Sequence, residues 1–216
     1  ISKKIEGFKN SRELEQCFIA WAALDILLEE DFDARVYEWV PKWDQGFAFG
    51  NINNGGGDEL VGLFGEEKCI LKGFDHESVL SPYVQEKFGV YKGIYEEVPQ
   101  ELLKQLADPA IEMESVTFCL WRESDKGNWQ KGSVLIPEGE SDGEDYLIGY
   151  VHPTIDEHIE WVADYYEQDL NQQGKQLVEM IYAQKTLNQR ILSEYGFSDE
   201  SKRILDELKE MGYPVN

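Results

Sequence analysis

GFAFGNINNGGGDELVGLFGEEKCILKGFDHESVLSP, residues Gly46 to Pro82, decides the fold. Short apolar runs alternate with glycine-rich breaks. Gly46–Ile52, Leu60–Phe64 and Lys68–Lys72 have strand length and are rich in aromatic and branched residues. Asn53 to Gly57 separates the first two runs, and Gly65 to Glu67 separates the next two; glycine permits the positive φ that a reversal needs. The pattern predicts an antiparallel β-meander that ends at Ser81-Pro82.

Working outward, Ala34 to Val40 reads as a strand closed by Pro41. Downstream, Val116 to Trp121 and Gly132 to Ile136 read as strands that pair across the polar loop 122–131. A helix precedes the meander. Asn10 and Glu13 have capping-box spacing, and Leu14, Phe18, Trp21, Ala22, Asp25 and Leu28 form a stripe that ends near Asp31. Pro99 opens a short helix, and Asp108-Pro109 stops it. After residue 150 the pattern turns helical. Thr154 and Glu157 form a capping box for a stripe of Ile155, Ile159, Val162, Tyr166 and Leu170, and Asn171 to Gly174 breaks the chain. One long helix carrying Leu177, Met180, Ile181, Leu187, Ile191 and Leu192 is predicted up to Tyr195, and a last helix from Ser198 to Gly212. The reading is α+β: an N-terminal helix, a meander and a C-terminal helical segment. Residues 1–150 form the mixed core, and residues 151–216 are either a separate helical unit or part of the same core.

Composition narrows the function. Of the 216 residues, 43 are Asp or Glu and 20 are Lys or Arg, for a net charge of −23. Such a surface repels phosphate backbones and anionic lipid, which sets aside nucleic acid and membrane as direct ligands and favours a basic protein partner, or serves solubility alone. Cys17, Cys69 and Cys119 are odd in number, lie in apolar runs and lack metal-site spacing. They read as buried thiols of a cytoplasmic protein. No apolar run approaches a membrane span, and Ile1-Ser-Lys-Lys lacks the apolar core of a signal peptide.

Three constellations invite chemistry. The triple glycine Gly55–Gly57 is followed by Asp58 and Glu59 and then a strand, which suits a hairpin turn and not a phosphate cradle. Asp75, His76 and Glu77, with Ser78, place acid, base and hydroxyl together. They read either as a turn or as the catalytic group of a hydrolase. On a strand, Asp75 and Glu77 would share one face and His76 the other. His152 and His158 are six apart across Pro153, not the spacing of a helical metal pair, and the acidic run Glu138 to Asp145 lacks EF-hand spacing. No metal ion and no cofactor is predicted.

The 37 residues from Glu138 to Gly174 contain no Lys or Arg. On the Thr154 helix, Glu157, Glu160, Asp164 and Glu167 fall opposite the core stripe, and Trp161 and Tyr165 border it. Aromatic anchors beside carboxylates make a surface for a basic partner; the alternative is a solvated acidic helix. The turn Asn54-Gly55-Gly56-Gly57, set in a meander after an N-terminal helix, resembles the SMI1/KNR4-type immunity proteins of bacterial toxin systems. The resemblance implies a small cytoplasmic protein that neutralises a cognate toxin, often a nuclease, and it transfers no site residues.

Overall fold

The computed structural model describes residues 1–168 and 170–216. The helices are α1 (Lys3–Glu6), α2 (Ser11–Leu28), α3 (Gln100–Leu103), α4 (Glu144–Leu147), α5 (Ile155–Tyr165), α6 (Gln172–Tyr182), α7 (Gln189–Glu194) and α8 (Ser201–Glu210). The strands are β1 (Tyr37–Asp44), β2 (Phe47–Asn53), β3 (Glu59–Phe64), β4 (Cys69–Phe74), β5 (Phe118–Arg122) and β6 (Gln130–Lys131). They form one sheet in chain order, each antiparallel to its neighbour, so the fold is the expected α+β meander.

Both faces of the sheet are covered, which is why its strands read as runs and not as alternations. On one face Leu60, Phe64, Leu71, Phe118 and Leu120 join the helical core; on the other Val61, Leu63, Ile70, Cys119 and Trp121 meet Ile94, Leu102, Leu106 and Ile111. The second cover comes from the irregular segment between β4 and β5. Helix α2 lies on the first face, where Gly50 receives Phe18: a Cβ at position 50 would stand 2.4 Å from Phe18 Cδ1. Asn10 caps α2 by accepting from Glu13 N, and Glu13 accepts in return from Lys9 N.

The hydrophobic cluster crosses the candidate boundary at 150. Trp21 and Trp39 share it with Val162, Ile181, Leu192 and Ile204. The C-terminal helices thus pack on the same core as α2.

Several boundaries differ from the sequence reading. Pro41 lies inside β1, where the register slips between Val40 and Asp44; β1 is an edge strand, and an edge tolerates a missing donor. The downstream partner of β5 is Gln130–Lys131, not Gly132–Ile136: the ladder ends after Gly132 N donates to the Cys119 carbonyl at 3.1 Å, the Ile94 carbonyl crowds Gly132, and Leu135 is exposed. Gly174 lies within α6, whose cap is Asn171. The expected long helix is two. Gln184 takes a left-handed φ of 49°, Asn188 caps α7, and Leu187 between them bridges to Val215.

All three cysteines are buried and free, and burial raises their thiol pKa values, that of Cys17 to about 12. No helix among the described residues is long and apolar enough to cross a membrane.

Candidate functional site

Asp75, His76 and Glu77 follow the end of β4 in a turn, so strand alternation does not apply to them. Asp75 accepts from Glu77 N at 2.9 Å, as a turn-forming carboxylate does. His76 pairs with neither sequence neighbour. Its Nδ1 stands 2.7 Å from Asp58 Oδ1, and its backbone N–H donates to the same oxygen at 2.9 Å. Asp58 comes from the β2–β3 turn, and Asn54 Nδ2 donates to its other oxygen at 2.8 Å. The clasp therefore ties two neighbouring turns together at one end of the sheet. Burial works to raise the Asp58 pKa, but the hydrogen bonds from Asn54 and His76 outweigh it and leave the carboxyl below its usual range. The hydrogen bond to Asp58 and then its charge raise the His76 pKa.

Gly143 presses on the same turn: a Cβ there would lie 2.3 Å from Asp75 Cβ, and Gly143 has a φ of 85°. Ser78 is buried, and its hydroxyl donates to the Ser141 carbonyl at 2.8 Å. Ser78 is thus a structural tie and not a free nucleophile. Asp58, Asp75 and His76 offer donor atoms within 4.8 Å of one another, a mixed nitrogen and oxygen set. Both Asp58 oxygens are already engaged by His76 and Asn54.

The acidic aromatic face rests on a second constellation. His152 and His158 are stacked, their centroids 5.4 Å apart and their planes within 6°. Tyr37 donates its hydroxyl proton to the Tyr150 carbonyl at 2.8 Å, so the 2.9 Å contact with His152 Nε2 requires the imidazole N–H to donate. Tyr182 Oη receives Trp21 Nε1–H and lies 3.1 Å from His158 Nδ1. Burial lowers both histidine pKa values, that of His152 to about 3, so both rings are neutral. Stacked neutral rings in an aromatic box are a packing device. Trp161 leans on this pair and edge-on against Tyr37, and Tyr165 stacks on Trp161 at 4.8 Å and 16°.

Around that stack the predicted residues separate. Glu160 and Asp164 are exposed one turn apart on α5, and neither has a salt-bridge partner among the described residues. Glu157 is half-buried, with Oε2 lacking a hydrogen-bond partner, so it belongs to the packed side. Glu167 lies beyond the helix end with a left-handed φ of 52°. The cation-free segment is partly neutralised from outside. Lys131 reaches Asp142 and Glu144 at 2.5 Å each, and Lys175 reaches Asp156 at 2.6 Å. Asp169 lies outside the described residues. Sequence reasoning missed Asp58, whose proximity to Asn54 in a tight turn was the available signal, and it missed the His152–His158 stack.

The five cavities described in the fold are lined by other residues than Asp75, His76 and Glu77. Comparison with protein-family models, with curated proteins and with solved structures gave no match.

Proposed function

We propose that this chain is an acidic protein-binding module of the cytoplasm whose contact face is the outer edge of α5. The proposed partner is a basic protein, in the sharpest form a toxin such as a nuclease that the module neutralises as an immunity protein. The observation that carries the reading is the pair Glu160 and Asp164, exposed beside the Trp161–Tyr165 stack and without a salt bridge among the described residues. Like charges at this helical spacing cost an isolated helix about 0.2 to 0.5 kcal/mol, a cost that a basic partner relieves. Tyr165, 42% exposed, supplies an aromatic anchor whose ring is held by Trp161. A nuclease presents a basic groove for phosphate, and an acidic occluder is its electrostatic complement.

The alternative is a hydrolase that uses Asp75, His76 and Glu77. It would need a nucleophile or activated water and a concave substrate site, and Ser78 is occupied by Ser141. The binding reading has the stronger support. Its test is the association rate with the basic partner at low and high salt. Glu160→Lys with Asp164→Lys should slow association about tenfold at low salt, with the difference shrinking as salt rises. Equal rates for both proteins at both salt concentrations would remove this face from the interface.

A further inference from the structure

The opposite side of the sheet carries a second feature with no role in the α5 face. Tyr83, Val84 and Phe88 are 63%, 61% and 54% exposed on the segment that follows β4. Tyr83 packs edge-on against Phe74 at 5.8 Å and against Phe88 at 5.4 Å, so the rings form a cluster open to solvent. Tyr83 Oη lies 2.9 Å from Ser115 Oγ, which fixes the ring, and Ser115 Oγ reaches Glu112 Oε2 at 3.4 Å. Beside them opens a cleft of about 520 Å³ whose walls include Tyr83, Phe88, Asp108, Glu112, Met113 and Glu114, and no Lys or Arg. Asp108 caps its own turn through Ala110 N. Glu112 and Glu114 are exposed and have no salt bridge among the described residues. Lys72, behind this wall, is fully buried and satisfied by Glu59 Oε2 and the carbonyls of Ile111 and Glu112, while Lys87, next to Phe88 in the chain, lines a neighbouring cavity and not this one.

Exposed aromatic faces next to unpaired carboxylates select one ligand chemistry. A guanidinium is planar and weakly hydrated; it stacks on an aromatic ring while its N–H fork donates to a carboxylate. We infer that this cleft is a docking site for an arginine side chain of a basic protein segment. The inference rests on the reading of the chain as a binder of a basic protein, but it uses a surface on the other layer of the sheet. Charge complementarity selects this occupant: a neutral apolar segment would leave Glu112 and Glu114 unpaired at its edge, whereas an arginine pairs them.

The probe is a short amidated peptide of alternating glycine and arginine, with the citrulline peptide as its neutral isostere. Binding is read by calorimetry and by amide chemical-shift changes. The arginine peptide should bind with shifts centred on residues 83–88 and 112–115, and the citrulline peptide about tenfold more weakly or not at all. Tyr83→Leu with Phe88→Leu leaves the net charge unchanged and should weaken binding about tenfold. Glu112→Gln with Glu114→Gln should do the same, whereas Glu66→Gln with Glu67→Gln, which removes equal charge from the β3–β4 turn, should change it less than about twofold. Equal losses from both glutamate pairs, or no loss from the aromatic pair, would reduce the effect to general attraction to a chain of net charge −23 and overturn the site. A concentration-dependent dimer in sedimentation that Tyr83→Leu with Phe88→Leu abolishes would give the cleft to a second copy and also overturn it. If the peptide fails here while charge reversal at Glu160 and Asp164 still slows the partner, only the cleft assignment falls; if both fail, the binding reading falls with it.

Discussion

Replacing Asp25 with Asn should make the protein markedly less sensitive to pH. Asp25 is completely buried at the junction of α2 and β1, where Oδ2 accepts from Val36 N at 2.8 Å and from Tyr37 N at 2.9 Å. Its Oδ1 and the buried Tyr166 hydroxyl beside it make no well-formed hydrogen bond, although the hydroxyl is close enough to favour the carboxylate slightly. Desolvation raises the Asp25 pKa to about 7, against the lowering effect of the Val36 and Tyr37 N–H groups. The folded pKa lies above the unfolded one. The stability from the neutral acid is therefore fully present below the unfolded pKa and is lost as pH rises, with the loss levelling off above the folded pKa. With a folded pKa of about 7 and an unfolded value of about 3.9, ionisation costs about 2 to 3 kcal/mol more at about pH 8 than at about pH 5. The Asp25→Asn side chain keeps the acceptor for both backbone N–H groups and removes the titration. Urea unfolding of both proteins at these two pH values would read the difference between their stabilities. The gap should move in favour of the Asp25→Asn variant by about 2 to 3 kcal/mol on going to the higher pH. Stability curves that stay parallel from about pH 5 to pH 8 would refute the buried-acid argument.

The Asp58–His76 clasp has a different pH signature. The raised His76 pKa contributes stability that is present below the unfolded histidine value and lost as pH rises through the folded one, whereas the lowered Asp58 pKa contributes stability that is lost as pH falls through its folded value. The clasp is strongest between them, and Asp58→Asn should speed amide exchange in the 54–58 turn most in that window. Gly50→Ala should displace Phe18 or the sheet beneath it and cost about 1 to 3 kcal/mol in chemical denaturation. Tyr182→Phe removes the acceptor that Trp21 Nε1 meets at 2.9 Å and should cost about 1 to 2 kcal/mol by the same assay.

The meander was legible because each strand between Gly46 and Phe74 is a short apolar run bounded by glycine or acid, a purely local signal. The capped start of α2 was legible for the same reason. The break between α6 and α7 was not, since it depends on Leu187 bridging to Val215 near the far end of the chain. The candidate site follows the same division. Glu160, Asp164, Trp161 and Tyr165 could be placed on one helix edge from their spacing. The partner of His76 lies 18 residues away, and the stacked histidines depend on Tyr37 and Tyr182 from distant elements. His152 precedes the Thr154 cap and His158 lies within α5, so helical spacing does not describe the pair, which stacks all the same. Sequence reading also overstated the acidic run, because Lys131 and Lys175 return to it from outside.

The most direct test of the binding account is a capture experiment from lysate of the native host, with the wild-type chain and the Glu160→Lys, Asp164→Lys double variant side by side at low and high salt. The account predicts one basic protein retained by the wild type at low salt, weakened at high salt, and lost from the double variant. The same proteins retained in equal amount by both forms, whatever the salt, would contradict it.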